Sequence, residues 1–172
     1  MNLPNKLTLF RVALIPVCCL LLGLGLTYWA AAVFILAALT DFLDGYIARR
    51  QQLVTTFGKF ADPVADKLLV LTAMIFLVQM ARLPAWAVCI VVARELAVDG
   101  LRLVAASKGK VVAAQMLGKL KTNAQFLCVL SAMLSLPMGL TLSLTVLMAV
   151  LTVVSGVQYF WNLRDVLMDQ IK

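Results

Sequence analysis

Long apolar runs constrain this chain more than any other feature. Stretches of about 20 mainly apolar residues recur along its length, and each is long enough to cross the hydrocarbon core of a bilayer as a helix. Six can be delimited: Leu7 to Leu24, Tyr28 to Arg49, Pro63 to Met80, Pro84 to Ala106, Gly118 to Leu136 and Leu140 to Trp161. Hydrophobic residues make up 63% of the 172, against roughly 45–50% in a soluble domain. A water-soluble fold has nowhere to bury that much apolar surface. Lipid also offers the backbone no hydrogen-bond partners, so each span must be helical. The expected fold is all-α: one polytopic membrane domain over residues 1–172 with six transmembrane helices. The short segment Asn2–Thr8 can lie along the interface before them, anchored by Leu3, Leu7 and Leu9.

Punctuation supports these divisions. Pro63 and Pro84 suit first turns of helices, and Gly23, Gly25, Pro137 and Gly139 mark tight turns. Lys108, Gly109 and Lys110 form a small basic loop. The amino terminus, with basic residues before an apolar stretch, superficially resembles a signal peptide. It lacks a small-residue cleavage site and further spans follow, so it reads as a retained first helix.

The formal net charge is +7, which in a soluble protein would suggest nucleic acid. Here the charges cluster between apolar spans, so the partner they imply is a membrane surface and no nucleic acid is expected. With six spans, both termini and the loops near 50–62 and 107–118 share one side. Every basic residue except Arg82 and Arg94 falls on that side. The bias of Lys and Arg toward the cytoplasm then places both termini, and any site beside them, on the cytoplasmic face of the inner membrane. Arg94 lies near mid-span.

Cys18, Cys19, Cys89 and Cys128 lie in apolar runs without the spacing of a zinc site or a disulfide framework, and read as reduced, buried thiols. Histidine is absent, which removes the commonest general base and transition-metal ligand. Any metal must be held by oxygen.

Four of the eight acidic residues fall in one segment, TDFLDGYIARRQQLVTTFGKFADPVADK. Asp41 and Asp44 are three apart at the end of the second span, and Asp62 and Asp66 are four apart at the start of the third, so each pair shares a helical face. If the turn brings the faces together, four carboxylates converge in a low-dielectric site. Unpaired, they would repel and protonate. Divalent cations resolve that conflict, and two magnesium or manganese ions on shared carboxylates would suit displacement at phosphorus. The competing reading makes these aspartates helix caps and interfacial charges paired with Arg49, Arg50, Lys59 and Lys67. Buried carboxylates in a membrane are costly without a role, which favours the metal site for all four together. Gly45 allows close ligand approach, Ala48 keeps the surface low, and Arg49 can pair with a phosphate. Helix packing accounts for Gly45 and Ala48 equally well.

Written out, the segment reads Asp41, two residues, Asp44 and Gly45, two residues, Ala48 and Arg49, eight residues, Gly58, three residues, Asp62, three residues, Asp66. That spacing resembles the signature of the CDP-alcohol phosphatidyltransferase family at every fixed position. The resemblance implies a six-helix membrane fold, usually homodimeric, that moves a phosphatidyl group from CDP-diacylglycerol to an alcohol and releases CMP. It also implies that Asp41, Asp44 and Asp62 are metal ligands, and that Asp66 is both a ligand and the base for the attacking hydroxyl. Gly45, Ala48 and Arg49 would line the pyrophosphate site, with Gly58 in the motif and Thr55 a further polar contact.

The acceptor must be read elsewhere. Arg94, Arg102, Lys119 and Lys121 can form a cationic pocket suited to a dianionic acceptor. The alternative pairs Arg94 with Glu95 or Asp99 and leaves the two lysines as headgroup anchors. Pro4, Asn5, Leu7, Thr8 and Arg11, the Arg94–Glu95 pair with Arg102, and the run GKLKTNAQ are similar to family members that use sn-glycerol 3-phosphate. That similarity implies that Arg94, Arg102, Lys119 and Lys121 hold the acceptor phosphate and that Asn5 and Thr8 sit by the nucleotide. Serine or inositol phosphate are the other acceptors to weigh. A membrane prenyltransferase would need two separated acidic motifs, and a cation transporter would consume no lipid nucleotide. Tyr159, Trp161 and Arg164 read as interfacial anchors. Gly100 and Gly156 are candidates for a small-residue dimer interface.

Overall fold

A computed structural model describes the backbone of residues 3–51, 56–109 and 116–164, and the side chains of residues 7–40, 63–109 and 116–164. Among the described residues helix is the only regular structure, as apolar runs demand when backbone groups must be satisfied within each segment. The helices are α1 (Leu3–Gly23), α2 (Thr27–Gln51), α3 (Thr56–Gln79), α4 (Ala85–Ser107), α5 (Met116–Met133) and α6 (Met138–Asn162). Thus the all-α expectation holds. α6 is the one described helix that passes a span test by itself, at a mean hydropathy of 2.2. The others interrupt their apolar runs with charge: Arg11 in α1, Asp66 and Lys67 in α3, and Arg94, Glu95, Asp99 and Arg102 in α4.

Two boundaries differ from the sequence reading. Residues 3–8 are not a separate interfacial segment but the opening turns of α1. Pro4 costs nothing there because first-turn N–H groups have no helical acceptor, and Thr8 is already buried. Pro63 does not begin α3, which starts seven residues earlier and carries the proline inside it. A proline removes one i→i−4 hydrogen bond, a loss tolerated in an apolar helix packed on neighbours. The extension turns most of the expected 50–62 loop into helix and brings Gly58 and Asp62 onto α3.

The helices form two compact units. The first comprises α1, α2, α3 as far as Arg82, and the segment Ala132–Ser135; the second comprises α4, α6 and the rest of α5. In the first, α1 packs against both α2 and α3. Its core mixes small and large side chains, with Ala30, Ala31, Phe34 and Ala37 from α2 and Ala73, Met74 and Leu77 from α3, each at most 1% exposed. Alanines at such contacts let helix backbones approach closely. In the second, α4 packs on α6 through a buried stripe of Ala87, Val88, Val91, Glu95, Val98, Leu101 and Ala105, at helical spacing. Every helix also carries large apolar side chains on its outside, such as Leu20, Trp29, Ile75, Leu103, Leu127 and Val157. Large exposed apolar side chains on each helix fit a lipid solvent.

Three helices end alike. After α1, Leu26 N–H donates to Leu21 carbonyl and Gly25 N–H to Leu22. Arg82 and Ala81 repeat the pattern after α3, as do Leu136 and Ser135 after α5. This is the Schellman closure, which requires a left-handed residue: Gly25 at φ 74°, but Ala81 at φ 55° and Ser135 at φ 53°. The Arg82 guanidinium donates to the carbonyls of Ala132 and Met133 at 3.1 and 3.2 Å and to Thr27 Oγ1 at 3.2 Å. It thereby caps the carboxyl end of α5 with positive charge.

Candidate active site

Helix periodicity puts the four aspartates in two one-turn pairs, Asp41 with Asp44 on α2 and Asp62 with Asp66 on α3. Gly45, Ala48 and Arg49 follow on α2, and Gly58 precedes on α3. The side chains of Asn5, Asp41, Asp44, Gly45, Ala48, Arg49, Gly58 and Asp62 lie outside the described residues, as does all of Thr55. Among the described residues no three metal-ligating side chains converge, and of the four aspartates only Asp66 has a described side chain. It is half-buried, between buried Ala65 and Leu69 on α3. The donor chemistry fits a hard divalent ion, since the set is carboxylate throughout. In the first unit Thr8 and Arg11 lie one turn apart on α1, at 1% and 0% exposure. A guanidinium so deeply buried must be compensated by polar or anionic groups, and its place one turn after Thr8 was the signal by which the sequence could have marked it.

The second unit holds a cationic cluster built on Glu95. This carboxylate sits in the buried stripe of α4, where it is tolerable only if paired. Arg94 Nη1 donates to Glu95 Oε1 at 3.2 Å, and Lys121 Nζ donates to the same oxygen. The side chains of Arg94, Glu95 and Lys121 are 12%, 7% and 5% exposed. Two turns along α4, Arg102 Nη2 donates to the Tyr159 hydroxyl at 2.6 Å. Arg94 and Lys121 thus share the Glu95 carboxylate, while Arg102 reaches the Tyr159 hydroxyl, which brings three cations to this part of the second unit. The Nε atoms of Arg94 and Arg102 are buried and have no hydrogen-bond acceptor among the described residues. Such a cluster can bind an anion by charge-assisted hydrogen bonds.

The four aspartates and Arg94, Glu95, Arg102 and Lys121 lie within one family match: the CDP-alcohol phosphatidyltransferase family model covers residues 1–158. The chain belongs to this family. As a CDP-alcohol phosphatidyltransferase it is one of a group of membrane-embedded enzymes that generally depend on divalent metal. It is 48% identical to the CDP-diacylglycerol–glycerol-3-phosphate 3-phosphatidyltransferase of Bacillus subtilis, over 92% of this chain and 93% of that one. The Escherichia coli K12 protein of the same name is 40% identical, over 98% of both chains. A probable phosphatidylglycerophosphate synthase of Mycobacterium tuberculosis is 39% identical, over 96% of this chain and 83% of that one.

Within this phosphatidyltransferase, the predicted acceptor set is divided. Arg94, Arg102 and Lys121 belong to one cluster, whereas Lys119 is exposed. Residues two apart on a helix point about 200° from one another, so Lys119 and Lys121 leave α5 on different sides. Arg94 does pair with Glu95, as the structural alternative expected, yet its Nε has no acceptor among the described residues. Tyr159, read from sequence as an interfacial anchor, is 1% exposed and bonded to Arg102. Its signal was present in the buried series Thr141, Thr145, Thr152, Ser155 and Tyr159 at helical spacing on α6. Gly156 is also buried, where an added Cβ would lie 3.2 Å from Arg94 Cγ. Packing inside the chain therefore accounts for it, and of the two interface glycines only Gly100 has open space around it.

Proposed function

We propose that the protein transfers the phosphatidyl group of CDP-diacylglycerol to sn-glycerol 3-phosphate, yielding phosphatidylglycerol phosphate and CMP. The grouping of Arg94 and Lys121 on Glu95, with Arg102 beside Arg94 on the Tyr159 ring, carries the choice of acceptor, because a phosphate monoester near neutral pH is close to a dianion. The names of the relatives agree with that choice. Arg49, beside Gly45, Ala48 and Gly58, binds the donor pyrophosphate, with Thr55, Asn5 and Thr8 as further contacts to the nucleotide end. Asp41, Asp44, Asp62 and Asp66 hold the divalent metal, two magnesium or manganese ions, which supplies charge neutralisation at the pyrophosphate and at the leaving CMP. Asp66 takes the proton from the primary hydroxyl of the acceptor. That oxygen then attacks the phosphorus bearing diacylglycerol, the bond to the CMP oxygen breaks, and the lipid product stays in the bilayer.

The reading includes six spans in the inner membrane, a single domain over residues 1–172, a homodimer, and an active site and both termini on the cytoplasmic side. Support for the single domain comes from a family match that runs through both compact units. Support for the spans comes from helices that expose apolar side chains throughout.

An acceptor panel tests the choice. Purified protein is given CDP-diacylglycerol and magnesium with sn-glycerol 3-phosphate, glycerol, serine or inositol phosphate, and the lipid products are resolved. Turnover with sn-glycerol 3-phosphate should exceed that with glycerol or serine by at least about a hundredfold. Comparable turnover with an uncharged alcohol would remove the role given to the cationic cluster.

A further inference from the structure

Tyr159 stands in the last turn of α6, buried among Val98, Leu101, Ala105 and Leu163. Two arginines from α4 meet on its ring. The Cζ atoms of Arg94 and Arg102 lie 5.4 and 5.2 Å from the ring centroid. Their positions on α4 are about 12 Å apart along the helix axis, so both side chains must bend toward one another to share this ring. Two like charges on one ring repel, and what holds them is the ring quadrupole together with the bond from Arg94 to Glu95 and that from Arg102 to the Tyr159 hydroxyl. One turn earlier, the missing side chain of Gly156 leaves room for the Arg94 stem, since a Cβ there would be 3.2 Å from Cγ. Each arginine keeps a buried Nε without an acceptor among the described residues.

We propose that Tyr159, with Gly156, is a positioning residue for the acceptor: it fixes the separation and aim of Arg94 and Arg102 so that both donate to the same phosphate monoester. The inference rests on the acceptor reading above and extends it to residues that touch no substrate. A tyrosine that only packed the core would affect stability and leave substrate affinities alone. A tyrosine that sets the aim of two arginines affects the acceptor and spares the donor.

The test uses the full-length protein in detergent, with KM measured separately for sn-glycerol 3-phosphate and for CDP-diacylglycerol. Tyr159→Phe keeps the ring and removes the hydroxyl; it should raise the acceptor KM by about tenfold and leave the donor KM within about twofold. Gly156→Ala should raise the acceptor KM by a smaller factor. In an Arg102→Ala background, Tyr159→Phe should have no further effect, because the hydroxyl then has no guanidinium to aim. Tyr159→Leu, which risks misfolding, is not needed for the decision. If Arg94→Ala and Arg102→Ala raise the acceptor KM while Tyr159→Phe does not, the positioning role is overturned and the acceptor reading stands. If neither arginine variant changes it, the acceptor reading fails and this inference falls with it.

Discussion

In the proposed reaction Asp66 carries the heaviest chemical demand of any residue, since it would both hold metal and accept a proton. Asp66→Asn keeps the shape and removes the basicity, so kcat should fall by at least about 10²–10⁴, with an unchanged circular dichroism spectrum as the control for folding. Near wild-type turnover would contradict its role as base. The two lysines of α5 make a second test of placement. Lys121 is buried against Glu95 and Lys119 is exposed. Lys121→Ala should raise the KM for sn-glycerol 3-phosphate by about tenfold or more, and Lys119→Ala by less than about twofold, because a charge-assisted hydrogen bond is worth far more at a buried position than at a solvated one. Equal effects would mean that bulk positive charge, and not geometry, attracts the acceptor. What the sequence made legible of the aspartates is their pairing along α2 and α3, because spacings of three and four fix a shared helical face. The same geometry, applied to a spacing of two, sets exposed Lys119 and buried Lys121 on different sides of α5. Tyr159 was hidden for a different reason: a tyrosine near the end of an apolar helix serves equally as a headgroup anchor or as a buried donor partner, and only the packing of α4 on α6 separates the two.

At the scale of elements, the helix ends say most about how the fold is held. Ala81 and Ser135 occupy a left-handed conformation that costs an L-residue roughly 1–2 kcal/mol, where Gly25 adopts it freely. Ala81→Gly should therefore stabilise the protein by about 1 kcal/mol, raising the midpoint of thermal unfolding in detergent by about 2–4 °C. Arg82→Met should act in the opposite direction, by about 1–3 kcal/mol, since it strips donors from two carbonyls at the end of α5. A rise in the midpoint for Arg82→Met would show that this arginine does not hold the turn. The apolar runs located all six helices in the sequence. The start of α3 was harder to place, because a proline suits the beginning of a helix and hydrophobicity is silent about the two helical turns before Pro63, where the residues are mixed. Glycine and proline marked the turns after α1 and before α4 and α6, while the left-handed Ala81 and Ser135 carry no compositional signal.

For the whole molecule, the proposed six-span topology with cytoplasmic termini makes a labelling prediction. Single cysteines at Ser135 and at Lys108, introduced after the native cysteines are replaced, should react differently with a membrane-impermeant maleimide. Ser135→Cys should label in intact spheroplasts, and Lys108→Cys only after permeabilisation. Labelling of both from one side would contradict the six-span arrangement. The central claim is the transfer itself, and it is tested by incubating purified protein in detergent with CDP-diacylglycerol, isotopically labelled sn-glycerol 3-phosphate and magnesium. The account predicts stoichiometric release of CMP with the label in phosphatidylglycerol phosphate, and loss of both on chelation of the metal. No CMP with any acceptor alcohol, or CMP without label in the lipid, would contradict it.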